Sequence, residues 1–250
     1  MKNPQDALRM HRWDVTPAEA RDLQLEWRGR VERRDRLGRI RRVAGADLAF
    51  DRPLGSGRAG RPTWKPTWKD DEAVAGIVVF SYPAMEELER VSARLPVTFP
   101  YVPGLLSFRE IPALLAALAL LTAPPGLIFC DGQGFSHPRR FGLASHLGVL
   151  LDVPTIGCAK SRLIGEHSEP AQRSGAWAPL MDAGERIGAA LRTRTHSRPM
   201  YISTGHRLWL ERAMALTMEF CDGRRIPVPT RVADRYVAQV KREGTSQRSQ

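Results

Sequence analysis

Asp131 and Lys160 each stand just beyond a short apolar run, residues 127–130 and 155–158. Runs of that length and composition read as buried strands, so each would deliver a charged side chain to a loop above a sheet. An acid and a lysine gathered in this way suit a metal ion and a phosphate; two solvated loop charges are the plainer alternative. Gly132 and Gly134 flank Gln133 directly after Asp131, where the absence of a Cβ permits a sharp turn or close approach to a ligand. Asp47 sits inside the apolar run 43–50, where an ionised carboxylate is costly unless it is paired or bound to a metal. Salt bridge and ligand are equally open for it. Glu110 lies three residues after Ser107, the spacing of a capping box, and on its own reads as a helix cap. His206 lies in Thr204-Gly205-His206-Arg207 after the short apolar strand 200–203, and His137 precedes a basic cluster, Pro138-Arg139-Arg140, which we assign to phosphate contacts.

The elements that must position these residues are legible from pattern. Thr16, Pro17 and Glu19 start a helix over 16–36 with a capping box. Residues 43–50, 74–82 and 87–98 read as an antiparallel meander, with a long loop over 51–72 that carries Trp64 and Trp68. Tyr101 stands between Pro100 and Pro103, with Gly104 next, on a stiff and turned segment. An apolar helix follows over 111–121, and a second carries Leu143, Leu147 and Leu150 on one face until Asp152-Val153-Pro154 breaks it. Segments 177–181 and 186–192 pair as a hairpin, 200–203 is a short strand, and helices over 210–220 and 230–240 close the chain. We expect one domain over 1–240 and a disordered tail over 241–250.

The net charge is +11, and 33 of the 38 basic residues are Arg. Such an excess attracts polyanions, which favours a nucleic-acid substrate. Three cysteines without CxxC spacing fit a reducing compartment, and no apolar run is long enough to cross a bilayer. The expectation is a soluble, cytoplasmic monomer.

Four segments in order resemble the endonuclease V family: VAGADLAFD at 43–51, FPYVPGLLSFREIPALL at 99–115, DGQGFSHPRRFGLASHLGVLLDVPTIGCAKSRLIG at 131–165 and YISTGHRLWLERAMAL at 201–216. The resemblance implies an RNase H-like α/β fold with a mixed five-stranded sheet flanked by helices. It implies a Mg²⁺-dependent endonuclease, with Mn²⁺ as a substitute, that repairs DNA containing deaminated bases. Cleavage would fall at the second phosphodiester 3′ of deoxyinosine and leave 3′-hydroxyl and 5′-phosphate ends. On the matching positions Asp47, Glu110 and Asp131 become the metal ligands, with Lys160 and His206 beside them, and Tyr101 becomes a wedge that fills the gap left by an extruded base. Backbone groups of Gly104-Leu105-Leu106 and Gly132-Gln133-Gly134 would read the edge of the base and leave no space for a 2-amino group, while Pro103, His137, Arg139, Arg140 and Lys160 would meet DNA. Gln133 departs from the His that many relatives carry, and the insertion around 55–71 is longer than the family leads one to expect. Two other readings stand beside this one: cleavage at inosine in RNA, and noncatalytic binding of nucleic acid.

Overall fold

In the computed structural model, which describes residues 1–51 and 71–247, the strands are β1 (Arg42–Asp51), β2 (Glu72–Ser81), β3 (Glu87–Pro96), β4 (Leu127–Cys130), β5 (Thr155–Ala159), β6 (Trp177–Asp182), β7 (Glu185–Leu191) and β8 (Met200–His206). They form one sheet in the order β3-β2-β1-β4-β5-β8-β7-β6. The first three strands are the expected antiparallel meander, and β4 and β5 run parallel to β1. This 3-2-1-4-5 arrangement is the RNase H-like core. The sheet has eight strands rather than five, because β8 pairs antiparallel with β5 and the β6–β7 hairpin continues outward from β8. The two segments read as a hairpin in the sequence, which does not show which sheet edge they would extend. The 55–71 insertion and Trp64 and Trp68 lie outside the described residues, Asp71 excepted.

Among the described residues six α-helices flank the sheet: α1 (Pro4–Leu8), α2 (Pro17–Trp27), α3 (Leu106–Leu118), α4 (Leu143–Leu151), α5 (Leu210–Glu219) and α6 (Val228–Gln247). Residues of α3 and α4 pack with Ala44, Ala46, Ile77 and Ile128 in one core cluster. A second cluster joins α5 to Val43, Phe129, Ile156 and Ile202, and a third joins α6 to Val78 and Phe80. Apolar residues from central strands appear in all three clusters, which explains why β1, β2, β4 and β5 are nearly continuous in apolar residues rather than alternating.

Three helix boundaries differ from the sequence expectation. The capping box of α2 forms as expected, but the helix ends at Trp27 and gives way to a 3₁₀ turn over Arg28–Arg30. The following backbone is held elsewhere: Glu32 N–H donates to His206 Nδ1, and the Glu32 carbonyl accepts from Arg207 N–H. Helix α3 begins at Leu106 with no side-chain cap, so Ser107 and Glu110 lie inside it and neither caps it. Helix α6 continues through residues 241–247, part of the stretch that composition reads as a tail. Among the described residues no helix is long and apolar enough to cross a membrane.

Candidate active site

Asp47 and Asp131 become neighbours through the parallel register of β1 and β4. Ala46 lies opposite Cys130, and Asp131 N–H donates to the Ala46 carbonyl at 3.3 Å. The third member of the cluster is Asp234 of α6, and the three residues each offer a carboxylate oxygen within 4.8 Å of the others. Glu110, on α3, is buried and lines the same cavity of about 290 Å³. Lys160 Nζ lies 2.5 Å from Asp131 Oδ2 and 3.7 Å from Asp234 Oδ1.

Close packing of like charges has the expected electrostatic cost. Burial, reinforced by the charge of Asp131, pushes the Asp47 carboxyl up to about 7. Burial also raises Glu110 well above the ordinary carboxylate range, with the charges of Asp47 and Asp131 adding to the effect and Arg109 opposing it. For Lys160 burial disfavours the charge, but the hydrogen bond and charge of Asp131 prevail and its pKa is raised. A cluster of hard oxygen donors whose mutual repulsion a cation would relieve suits a divalent metal ion.

The Asp47 shift has a measurable consequence. Below pH 4 both folded and unfolded Asp47 are protonated; above that, the unfolded chain releases its proton first, so this group's contribution to stability falls as pH rises towards 7. With chelator present, Asp47→Asn should therefore be more stable than wild type at pH 8, by about 1–3 kcal/mol after allowance for partial exposure. The difference should vanish near pH 4 in denaturant titrations, and equal stability at both pH values would count against the strained cluster.

A second cavity of about 390 Å³ adjoins the first, and Asp131, Leu143 and Lys160 line both. Tyr101, Val102, Pro103, Gly104 and Leu106 line one part of it, and Gly132 and Gln133 another. Tyr101 is 69% exposed. Gly104 adopts φ +77°, which strains any residue with a Cβ, and a Cβ there would also displace Arg139 Nη2, 2.9 Å away. Ser107 also lines the cavity and contacts His146 Nδ1 at 3.1 Å.

Several residues expected at DNA also have partners within the protein. His137 accepts from Arg139 N–H at Nδ1 and hence donates from Nε2 to the Gly104 carbonyl, at 2.9 Å. Burial and the neighbouring Arg139 charge lower its pKa to about 4, consistent with a neutral ring. Arg139 also donates to Gly104, while Arg140 is paired with Asp182 and Glu185 on the β6–β7 hairpin. Gly134 is buried away from the cavity, where a Cβ would lie 2.3 Å from the Thr204 carbonyl oxygen. Gln133 donates to the Ser161 carbonyl and accepts from Ser136, tying the glycine loop to the segment after β5.

His206 is not brought to the acids. Strand β8 is antiparallel to β5, so His206 lies beside Thr155 while Tyr201 lies beside Ala159. Four strand residues separate those positions, about 13 Å along the strand. The His206 ring is buried, accepts from Glu32 N–H and lies 3.5 Å from Asp152. Asp234, in contrast, was not singled out from sequence, although it lies in PTRVAD at the end of the recognisable region.

Clustered carboxylates on a 3-2-1-4-5 sheet, with a lysine among them in a strongly basic chain, define an RNase H-like nuclease. The family model for endonuclease V matches residues 25–235, and the chain belongs to that family. Endonuclease V from Roseiflexus sp. (strain RS-1) is 49% identical over 222 residues, covering 89% of this chain and 92% of its own. The crystal structure of endonuclease V from Streptomyces avermitilis superposes with a TM-score of 0.81 at 43% identity, covering 93% of this chain and 96% of that one. Endonuclease V from Ciona intestinalis, solved with a 24mer DNA containing an inosine followed by a ribo-adenosine, gives a TM-score of 0.72 at 27% identity. That match covers 90% of this chain and 98% of the Ciona chain.

Proposed function

We propose that this endonuclease acts on deoxyinosine in DNA and hydrolyses the second phosphodiester 3′ of the lesion, leaving 3′-hydroxyl and 5′-phosphate ends. The observation that carries this reading is the adjacency of two cavities, one acidic and one fit for a base, that share Asp131 and Lys160. The inosine-containing DNA bound by the Ciona relative supports the same substrate class.

Asp47, Asp131 and Asp234 would hold Mg²⁺, with Glu110 behind them. Such an ion, when bound, polarises the phosphate and lowers the pKa of a coordinated water. Lys160 presents a cationic donor at the wall common to both cavities and holds the scissile phosphate there. Exposed Tyr101 fills the gap left when the damaged nucleotide is extruded. The uncapped start of α3 places the backbone N–H groups of Leu106 and Ser107 at the base cavity, where they donate to the 6-oxo group that deamination creates. Space rather than a polar contact excludes the 2-amino group of guanine.

The test is cleavage of labelled duplexes with and without one deoxyinosine, in Mg²⁺ or chelator, beside matched inosine-containing RNA. The expected result is metal-dependent cutting one nucleotide beyond the lesion in DNA. Preferential cutting of RNA would move the substrate to inosine in RNA, a reading kept open by the ribo-adenosine in the Ciona complex. Binding with no turnover of either strand would overturn the catalytic assignment.

A further inference from the structure

The Gly104 carbonyl accepts from three side chains: Gln24 Nε2 at 3.2 Å, His137 Nε2 at 2.9 Å and Arg139 Nη2 at 2.7 Å. Gln24 connects this turn to two other segments around the cavity. Its Nε2 also donates to the Phe141 carbonyl at 3.0 Å, and its Oε1 accepts from Arg139 Nε at 2.5 Å. Only one amide orientation satisfies these contacts, because a flipped amide would turn Oε1 towards two carbonyl oxygens. Gln24 is 1% exposed, lines the base cavity and makes no contact with the acids.

Gln24 therefore stands where α2, the Tyr101–Gly104 turn and the segment after the glycine loop converge. A buried amide with both donors and its acceptor engaged fixes three backbone segments relative to one another. The turn it holds carries the exposed Tyr101 on one side and leads into the uncapped start of α3 on the other. Neither Tyr101 nor Leu106 has a polar side-chain anchor that could set its position independently.

We infer that Gln24 is a positioning residue for lesion recognition, holding the wedge turn and the base cavity in register so that inosine is distinguished from normal bases. The inference rests on the base-cavity reading above. It assigns Gln24 to selection of the damaged nucleotide rather than to the cutting step.

Two substitutions separate the roles of the amide. Gln24→Met keeps the length and removes all three hydrogen bonds. Gln24→Glu keeps an acceptor for Arg139 but sets a carboxylate oxygen against the Gly104 and Phe141 carbonyls, so it should disorder the turn more than Gln24→Met. For Gln24→Met we expect KM for an inosine-containing duplex to rise by about tenfold, with kcat changed far less, in line with the loss of buried hydrogen bonds. The preference for inosine over undamaged duplex in equilibrium binding should fall by a similar factor, while metal-induced thermal stabilisation stays at the wild-type value. Hydrogen exchange should quicken at residues 101–107 in both variants, more in Gln24→Glu.

Equal losses in kcat and metal stabilisation would show a general structural role and overturn the inference, as would wild-type exchange at 101–107. The exchange measurement needs no substrate. A wild-type protein that ignored inosine would defeat the base-cavity reading, while faster exchange in the variants would still report whether Gln24 holds the turn.

Discussion

Asp131→Asn should lower the cleavage rate of an inosine-containing strand by on the order of 10³-fold or more, equivalent to about 4 kcal/mol of transition-state stabilisation. Three functions meet on this side chain. It shares the carboxylate cluster with Asp47 and Asp234, it receives the Lys160 amine at 2.5 Å, and it lines both cavities. The amide retains the shape but removes the negative charge that attracts a metal ion and orients the lysine. Asp234→Asn should behave differently, because that carboxylate is 56% exposed and stands 3.7 Å from Lys160. Its loss should weaken metal binding by about 10- to 100-fold, a deficit that raised metal concentration partly restores. Single-turnover cleavage across a metal titration distinguishes the two, and similar, unrescued losses would remove the distinction between them.

Gly45→Ala should destabilise the protein by about 3 kcal/mol or more, the upper range for overpacking a core. A Cβ on Gly45 would lie 2.0 Å from the Pro229 carbonyl oxygen and 2.2 Å from its carbon. Those are backbone atoms at the start of α6, so no rotamer change relieves the clash and the helix must move. Across the β1–β2 ladder, Gly76 opposes Asp47, and a Cβ there would meet Val237 of α6 at 2.5 Å. The two glycines thus form a bed into which α6 settles, and Asp234 reaches the acids only with the helix in place. The variant should lose metal-induced stabilisation as well as folding free energy in denaturant unfolding. Gly29→Ala, where nothing lies within 4 Å of the added carbon, is the control and should change stability by less than about 0.5 kcal/mol. A Gly45 variant as stable as that control would refute the bed.

Much of this architecture was legible from local pattern. Apolar runs marked the strands that carry Asp47 and Asp131, and the Thr16–Glu19 capping box marked the start of α2. The pairing partners of β8 were not legible, and the position of His206 depended on them. A histidine at a strand end reaches the Lys160 end of the sheet if the strand is parallel to β5 and the opposite end if it is antiparallel. Glu110 had the spacing of a cap, but the helix begins with Leu106 and turns the carboxylate into the acidic cavity. Arg139 and Arg140 read as phosphate contacts, and their partners within the protein, Gln24, Gly104, Asp182 and Glu185, were not legible because they are distant in sequence. Asp234 escaped notice for the converse reason: an acid on a partly solvated helix carries no local sign of the two carboxylates that it meets.

The bed formed by Gly45 and Gly76 also bears on the order in which the protein acquires its chemistry during synthesis. Asp47, Glu110, Asp131 and Lys160 all precede α6 in the chain, so a ribosome has made them well before residue 234. Until α6 emerges, the furrow over β1 and β2 lacks its cover and the carboxylates there lack the member supplied by Asp234. Completion of the carboxylate trio is thereby tied to the synthesis of α6, and a nascent fragment that stops before it lacks the third acid.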